Sequence, residues 1–262
     1  MAPLTVALLG LGEAGSALAG ELVAAGVFVR GFDPAAGSDV PGVHRAADAR
    51  AAVEGSDVVL SVTAASAALD AARGAAGGLR EGQVYADLNS AGAALKRAVA
   101  EVVAPTGAQF ADVALMGVVP RDGLRTPALV SGPGAEAFAQ RLRPLGMPVE
   151  VLGDEPGAAA ARKLLRSVFM KGLAASCLES LHAARAAGCE DWMRAEIEAV
   201  LAGADTALLE RLVVGSARHA TRRIGEVHDA RELLAELGVE PRVTVAAGGW
   251  LAQLESESDP GT

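Results

Sequence analysis

The chain has 262 residues, of which 51% are hydrophobic, 3% are aromatic and 21% are charged. This length allows one large domain or two smaller ones, with a core built from Ala, Val and Leu. The formal net charge of −9 argues against general binding to nucleic acids or anionic membranes, since both require a basic surface. No stretch approaches the ~18 uninterrupted apolar residues of a membrane span. A first strand within a few residues of the N-terminus leaves no room for a targeting segment, so we expect a cytoplasmic protein.

The first predicted strand runs directly into a glycine-rich loop. Residues 4–15 read LTVALLGLGEAG, an apolar run followed by G-x-G-x-x-G, and an Ala- and Leu-rich helix is predicted over residues 16–25. Gly10 permits a tight turn, Gly12 lets the backbone approach a pyrophosphate, and Gly15 allows the helix to pack closely on the strand. The N–H groups at the helix start favour phosphate. The candidate cofactor-binding residues of this loop are Gly10, Leu11, Gly12, Glu13, Ala14 and Gly15.

An acidic residue follows at the distance typical of ribose recognition. Asp33 lies 18 residues after Gly15, at the end of a second apolar run over residues 27–32. Its carboxylate would accept hydrogen bonds from the adenosine ribose hydroxyls. The alternative is an aspartate that initiates a turn before Pro34. Because no Arg or Lys follows Asp33 directly, a 2′-phosphate lacks an obvious partner and NAD(H) is favoured over NADP(H).

Strands and helices alternate as far as residue 153. After a Pro- and Gly-rich loop over residues 34–42 and a short segment near 43–44, strands are predicted at 57–62, 84–88, 109–114, 128–131 and 149–152, and helices at 46–54 and 66–76. This alternation predicts parallel strands joined by right-handed crossovers, and therefore a doubly wound α/β sheet. Two strand ends are candidates for cofactor contact, Val62 and Thr63 at the first and Asn89 and Ser90 at the next. The alternatives are an ordinary loop and, for Ser90, a helix N-cap.

The pattern becomes entirely helical after residue 156. One long Ala-rich helix is predicted over 156–187, followed by helices at 190–202, 205–214, 217–237 and 243–254, with glycines near the breaks. Residues 255–262 are predicted to form a frayed tail. Cys177 and Cys189 have no metal-ligand spacing, and we interpret them as reduced packing residues. The sequence thus predicts an α/β domain over residues 1–155 and an all-α domain over residues 156–262.

The long helix carries a lysine with polar neighbours on one face. Arg166 and Ser167 lie three and four residues after Lys163 and share its side of the helix. A lysine in this setting can donate a proton to a carbonyl oxygen or accept one in reverse, and partial desolvation lowers its pKa towards neutrality. Ser167 would orient the lysine or the substrate. Lys171, about 80° round the helix, is a supporting or alternative base, and the plain alternative for Lys163 is an ordinary surface lysine.

A cluster of basic residues in an acidic chain is a second candidate site. It consists of Arg218, His219, Arg222 and Arg223. A single helix over 217–237 would place most of these side chains on one side. Because guanidinium groups bind carboxylates and phosphates bidentately, the cluster predicts an anion site for the substrate. The alternative is a solvated helix face balanced by nearby acidic residues.

Together these motifs resemble the β-hydroxyacid dehydrogenase superfamily, which includes 6-phosphogluconate dehydrogenase. The glycine fingerprint matches, and the D-x-S-T-like turn near the nicotinamide reads DLNS at residues 87–90. The substrate-binding segment D-x-P-V-S-G-G reads DVALMGV at residues 112–118, keeping Asp112 and Gly117 but placing Met116 at the serine position. The catalytic G-x-x-x-K-x-x-N-N reads AAARKLLRS at residues 159–167, keeping the lysine but not the asparagine pair.

This resemblance implies an NAD(P)-binding Rossmann domain followed by a helical substrate and dimerisation domain, in a subgroup with a phosphogluconate-dehydrogenase-C-terminal-like helical domain. It implies an NAD(P)-dependent oxidoreductase for a small, anionic hydroxy or oxo compound, with Lys163 as general acid and base. Its implied substrate-binding residues are Met116, Gly117, Arg166, Lys171, Arg218, His219 and Arg222. A homodimer through the helical domain is expected, because the long Ala-rich helix would otherwise leave apolar surface exposed. Since two motifs depart from the family pattern, an imine reductase-like enzyme and a non-catalytic NAD(P) sensor are alternatives.

Overall fold

A computed structural model describes residues 4–35 and 39–258 of the chain. The parts of the predicted 34–42 loop and 255–262 tail that fall at residues 36–38 and 259–262 lie outside the described residues. The chain divides into two compact units, Met1–Arg166 and Ser167–Thr262. This division falls within a long helix, whereas the predicted domain boundary at residue 155 lies just before that helix begins.

The first unit is built on an eight-stranded sheet in the order β3-β2-β1-β4-β5-β6-β7-β8. Its strands are β1 (Thr5–Leu9), β2 (Phe28–Phe32), β3 (Val43–Arg45), β4 (Val58–Ser61), β5 (Val84–Asp87), β6 (Gln109–Leu115), β7 (Ala128–Ser131) and β8 (Val149–Val151). The central strands are apolar at nearly every position because both sheet faces are covered. The predicted doubly wound α/β sheet is confirmed.

Helices cover both faces of this sheet. They are α1 (Glu13–Ala24), α2 (Ala49–Val53), α3 (Ala68–Ala76), α4 (Ala93–Val103), α5 (Val119–Asp122) and α6 (Ala135–Leu142). Successive strand residues face opposite sides, so Leu8 packs in a cluster with Leu18 of α1 and Phe138 of α6. Its neighbour Leu9 packs on the other side with residues of α2, α3 and α4 such as Val99.

One part of the parallel-sheet prediction is wrong, because β6 and β7 pair in antiparallel fashion. The connecting residues 116–127 form only the short helix α5 and one 3₁₀ turn. A parallel pair needs a crossover that returns the chain across the sheet, usually through a longer helix. This chain therefore re-enters the sheet from the edge at which it left. Strand β8 then runs parallel to β7 after α6.

The described part of the second unit, residues 167–258, consists of helices and short connections, as predicted. Helix α7 (Ala158–Ala186) begins in the first unit and is followed by α8 (Glu190–Ala202), α9 (Thr206–Arg218), α10 (Ala220–Glu236) and α11 (Arg242–Ser258). The prediction of one helix over 217–237 is wrong, because the backbone leaves the helical region at His219 (φ −121°, ψ 29°). The predicted fraying from residue 255 is also wrong as far as Ser258, since α11 continues to that residue.

Two smaller expectations concern membranes and cysteines. None of the helices formed by the described residues has the length and apolar character needed to cross a membrane. Cys177 and Cys189 are both free thiols. Cys177 is half-buried, but Cys189 is exposed, so the interpretation of Cys189 as a packing residue is wrong.

Candidate active site

The turn between β1 and α1 has the shape of an anion-binding loop. Gly10 has a φ of +97°, and a Cβ there would lie 2.2 Å from the Val62 carbonyl oxygen. A Cβ on Gly15 would lie 2.1 Å from the Gly10 carbonyl oxygen, so α1 packs directly on the loop. At exposed Gly12, by contrast, a Cβ would meet nothing within 4 Å, and no side chain caps α1. Uncapped N–H groups beside open space fit a pyrophosphate.

The carboxylate of Asp33 is fixed beside this loop. Its Oδ2 accepts a hydrogen bond from Leu11 N at 2.7 Å, and its Oδ1 accepts one from Ala35 N at 2.9 Å. Asp33 is half-buried, and a carboxylate has about four lone-pair sites in all. The two that remain are enough for the two hydroxyls of an adenosine ribose, so the residues present fit a dinucleotide.

A guanidinium that the sequence analysis missed lies next to Asp33. Strand β3 pairs with β2 in parallel, so Arg45 stands opposite Gly31. From there its Nη2 donates a hydrogen bond to the Asp33 carbonyl oxygen at 3.4 Å. The sequence around Asp33 did not predict this contact, because Arg45 lies 12 residues further along the chain. Only the pairing of a three-residue strand brings Arg45 to this position.

The two predicted loops after β4 and β5 are tied together by a buried amide. Asn89 Oδ1 accepts a hydrogen bond from Thr63 N at 2.6 Å, and Asn89 Nδ2 donates one to Asp87 Oδ1 at 2.6 Å. Val62 also adjoins the glycine loop through its carbonyl oxygen. Residues 62–63 and 89–90 therefore meet at the carboxyl ends of the central strands. Because both ends of the Asn89 side chain bond within the protein, this residue orders the Thr63 loop, and its cofactor contact stays a prediction.

Lys163 of α7 reaches the same edge of the sheet. Its Nζ donates a hydrogen bond to Ser90 Oγ at 3.1 Å. Partial burial lowers the pKa of this lysine, and the positive charges of Lys96 and Arg166 lower it further, against the opposing effect of Asp112. The N-cap alternative for Ser90 is wrong, because α4 is capped by the backbone of Gly92. Lys163 is thus a partly desolvated amine with a hydroxyl partner.

A buried ion-pair cluster lies in the same unit and was not predicted. Lys96 Nζ lies 3.4 Å from Asp87 Oδ2 and 3.3 Å from Asp112 Oδ1, and these three side chains are at most 1% exposed. Burial raises the pKa of the Asp87 carboxyl, although the Lys96 charge opposes this effect. Lys96 shares the buried stripe of α4 with Val99 and Val103. A lysine on an apolar helix face was the available sequence signal.

The predicted substrate segment follows β6 at the neighbouring strand end. Met116 is half-buried and donates its backbone N–H to the Pro127 carbonyl oxygen at 2.7 Å. Gly117 is exposed, in a turn that Asp122 Oδ2 closes by accepting a hydrogen bond from Val118 N at 3.3 Å. Because β5 and β6 are parallel, this segment and residues 89–90 lie at the same edge of the sheet. Substrate contact by residues 116–117 stays a prediction.

The expectation that the basic cluster occupies one helix face is wrong, since α9 ends at Arg218 and α10 begins at Ala220. Arg218, His219 and Arg223 nevertheless line one cavity of about 400 Å³, together with Glu210 and Arg211. Arg222 is not among the lining residues and forms an exposed ion pair with Glu226 at 3.3 Å. The break thus separates Arg222 from the others, and for Arg222 it favours the solvated alternative.

The helix residues assigned to catalysis and substrate binding differ in exposure. Arg166 and Lys171 are exposed, whereas Ser167 is half-buried. Arg166 acts on Lys163 through its charge. Direct substrate contact by these three residues stays a prediction.

A doubly wound sheet with this glycine loop and acidic residue defines an NAD(P)-binding protein of the dehydrogenase and reductase class. The NAD binding domain of 6-phosphogluconate dehydrogenase matches residues 5–161, and the chain belongs to this family. Residues 184–254 match DUF1932, a domain of unknown function. The predicted family resemblance is confirmed.

Three solved structures illustrate the range of similar proteins. A conserved hypothetical protein from Sinorhizobium meliloti 1021 is 30% identical with a TM-score of 0.64, over 99% of this chain and 91% of that one. The conserved protein MTH1747, reported to be structurally similar to 3-hydroxyacid dehydrogenases, is 29% identical with a TM-score of 0.64, over 97% of both chains. An imine reductase from Aspergillus terreus, solved with NADPH4 and dibenz[c,e]azepine, is 22% identical with a TM-score of 0.81, over 100% of this chain and 96% of that one. The last similarity establishes a shared fold only.

Proposed function

We propose that this protein transfers a hydride between NAD(H) and a small, anionic hydroxy or oxo compound, with Lys163 as the proton donor and acceptor. The bound nicotinamide supplies the hydride or accepts it. The observation that carries the proposal is the contact of the partly desolvated Lys163 ammonium with Ser90 Oγ at 3.1 Å, at the carboxyl end of β5. In doubly wound sheets this edge is where ligands bind.

The chain's own residues then have distinct tasks. The uncapped start of α1 and exposed Gly12 would hold the pyrophosphate, and Asp33 would hold the ribose. Protonated Lys163 would donate its proton to the carbonyl oxygen during reduction, and neutral Lys163 would remove the hydroxyl proton during oxidation. Ser90 would hold the amine in place, and Ser167 would orient the amine or the substrate.

The preference for NAD(H) is supported by the carboxylate of Asp33, which would repel a 2′-phosphate. Arg45 acts in the opposite sense, because its guanidinium lies beside Asp33 and would attract that phosphate. The carboxylate is fixed by two backbone N–H groups, whereas the exposed Arg45 makes a single long contact of 3.4 Å with Asp33. We therefore expect the effect of Asp33 to be the larger one.

Recognition of an anionic substrate is supported by the surplus of basic groups. In the first unit Arg166 adds a positive charge near Lys163, whereas the charge of Lys96 is paired with Asp87 and Asp112. In the second unit, four basic groups line one cavity, those of Arg211, Arg218, His219 and Arg223. Guanidinium groups favour carboxylate or phosphate. A carboxylate or phosphate on the substrate is accordingly part of the proposal.

A second candidate activity is the reduction of a cyclic imine. Two departures from the family pattern favour it. Arg166 and Ser167 replace the asparagine pair, and Met116 replaces the serine of the substrate segment. The shared fold with an imine reductase is compatible with it. In that reaction protonated Lys163 would donate its proton to the imine nitrogen, and the hydride from the nicotinamide would go to the imine carbon to give a secondary amine.

The test is a panel of keto acids and cyclic imines assayed with NADH and NADPH, on the wild type, Lys163→Met and Arg162→Gln. Arg162 is the control, because this exposed neighbour only approaches Glu150 at 3.9 Å. We expect turnover of a keto acid, with kcat reduced by about 100-fold or more in Lys163→Met and unchanged in Arg162→Gln. Unchanged kcat in Lys163→Met would overturn the assignment of Lys163. Turnover of imines alone would support the second candidate, and cofactor binding without any turnover would support a sensor.

A further inference from the structure

Four adjacent strands place a polar residue at the same level of the first unit's sheet. In register across β4, β5, β6 and β7 stand Ser61, Asp87, Asp112 and Ser131. Each of the four is 0% exposed. Packing alone does not require polar groups at this buried level of the sheet, and burying two carboxylates there is costly. This polar row therefore has a purpose other than core formation.

A single lysine contacts both carboxyl groups at the centre of the row. Lys96 Nζ donates a hydrogen bond to the Asp87 carbonyl oxygen at 2.7 Å and lies between Asp87 Oδ2 and Asp112 Oδ1. Neither of these carboxylate oxygens accepts a hydrogen bond from another described residue. The orientation of Asp112 is thus fixed by the ammonium on one side. Its second oxygen is free to face the opposite direction.

That second oxygen bonds to the start of α7. Asp112 Oδ2 accepts a hydrogen bond from Ala160 N at 3.0 Å, and Ser131 Oγ accepts one from Ala159 N at 3.0 Å. The Ser131 hydroxyl in turn donates to Asp112 Oδ2 at 3.3 Å. The first-turn N–H groups of a helix have no partners within the helix. Here the side chains of Ser131 and Asp112 accept hydrogen bonds from two of these N–H groups, so residues of the sheet cap α7.

Close backbone packing holds the same helix start against α4. Gly157 has a φ of +96°, and a Cβ there would lie 2.9 Å from Ala93 Cβ. The helix that carries Lys96 and the helix that carries Lys163 are therefore fixed to each other at one point. Lys163 lies three residues after Ala160, within one turn of the cap.

We infer that Lys96, Asp112 and Ser131 are positioning residues for Lys163: the ion pair orients Asp112, Asp112 and Ser131 cap the first turn of α7, and this cap sets the Lys163 amine beside Ser90. The inference rests on the proposed role of Lys163 for its functional meaning. Its structural content, a sheet-capped helix start that fixes one side chain, is independent of the reaction.

Charged groups from three elements act on Lys163. Lys96 of α4 and Arg166 of α7 bear positive charges, and Asp112 of β6 bears a negative charge. Removal of the Lys96 charge should raise the pKa of Lys163, whereas removal of the Asp112 charge should lower it. A purely structural role of these two residues would not produce shifts of opposite sign.

The capping step is tested by hydrogen exchange on Ser131→Ala, with Thr126→Val as the matched control. Thr126 is buried in the same unit, and its hydroxyl has no hydrogen-bond partner among the described residues. In Ser131→Ala we expect amides at the start of α7 to exchange about fivefold faster or more, the factor typical of a lost helix cap. Thr126→Val should leave them unchanged. Unchanged exchange in folded Ser131→Ala, or equal acceleration in both variants, would overturn the capping step.

The positioning of Lys163 is tested on the free protein by its rate of acetylation at each pH, read by mass spectrometry. Relative to the wild type, Lys96→Met should shift the midpoint of this profile up and Asp112→Asn should shift it down, each by about 0.5 pH unit or more. Asp112→Asn keeps an acceptor for Ala160 N–H and is the variant that keeps its fold if Lys96→Met does not. An unshifted midpoint in folded Asp112→Asn would overturn the inference. Because no substrate is used, this result is separate from any failure of the proposed reaction.

Discussion

The proposed chemistry of this protein depends on the surroundings of one amine, that of Lys163. An exposed lysine has a pKa of about 10.4 and is almost fully protonated at neutral pH. Lys163 is half-buried, near Lys96 and Arg166, and all three conditions lower its pKa. A lower pKa increases the fraction of neutral amine at a given pH, which favours acid–base catalysis in two directions.

The pH dependence of the reaction follows from this shift. In the proposed reaction, reduction uses protonated Lys163, so kcat/KM for reduction should fall as pH rises through the lowered pKa. Oxidation uses the neutral amine, so its kcat/KM should rise through the same pKa. The two steady-state profiles should share one midpoint below the ordinary lysine value of about 10.4. A common midpoint that persists in Lys163→Arg would assign the titration to another group.

The choice of cofactor is also decided at the scale of single residues. In Asp33→Asn the charge that opposes a 2′-phosphate is lost, so the Kd for NADPH should fall by about tenfold relative to that for NADH. Arg45→Ala should have the opposite effect, because it should weaken the binding of NADPH and leave that of NADH unchanged. Fluorescence titration of both cofactors measures the ratio without a substrate. If the ratio of the two Kd values is the same in the wild type and both variants, Asp33 and Arg45 do not determine the choice of cofactor.

At the scale of elements, two glycines of the loop between β1 and α1 have separable tasks. The Cβ position of Gly15 meets a carbonyl oxygen at 2.1 Å, whereas that of Gly12 is open. Gly15 is therefore needed for the packing of α1 on β1, and Gly12 is needed for access to the start of α1. The sequence motif predicts these same tasks for Gly12 and Gly15, and the structure adds what stands opposite each Cα.

The two tasks predict opposite phenotypes for two alanine substitutions. Gly15→Ala should lower the free energy of unfolding by about 1–3 kcal/mol through overpacking. Gly12→Ala should keep its thermal stability but weaken NADH binding by about tenfold, since a methyl group would meet the pyrophosphate. Gly20→Ala, in the middle of α1 with an open Cβ position, is the control and should stabilise the helix by about 0.5–1 kcal/mol. Denaturant unfolding and NADH titration of the three variants provide the measurements, and a stable, cofactor-deficient Gly15→Ala would contradict this assignment.

Element boundaries show where the sequence pattern was informative. The alternation of apolar strands and Ala-rich helices was enough to predict the sheet and the five helices of the second half. It failed at β7, whose direction depends on a short connection, and at His219, where two helices of similar pattern meet. In both places the deciding feature is a local backbone direction that hydrophobic periodicity does not encode.

At the scale of the whole molecule, the second unit exposes an unusual amount of apolar surface. Its exposed large hydrophobic side chains include Val168, Phe169, Leu178, Trp192, Leu209, Leu212, Val213 and Trp250. Large apolar side chains exposed in such number are typical of surfaces that associate. We therefore propose that the chain forms a homodimer through this unit, as the long helix led us to expect.

The homodimer predicts a concentration-independent mass of two chains in light scattering. Val213→Glu places a charge on a side chain that is 61% exposed and should shift the mass to that of one chain. Ala235→Glu introduces the same charge at another exposed position of the unit and should leave the mass unchanged. A wild-type mass of one chain would refute the proposal.

The sequence by itself determined the doubly wound sheet, the helical second half, the glycine loop with Asp33, and Lys163 as the candidate acid and base. Each of these can be recognised from hydrophobic periodicity or from a short motif, because the signal lies in residues close together in the sequence. Tertiary structure alone decided that Arg45 lies beside Asp33, that Asn89 bonds inside the protein, and that Lys96 joins Asp87 and Asp112 beneath the start of α7. These contacts join residues from separate strands and helices, so they exist only once the sheet order and register bring those elements together.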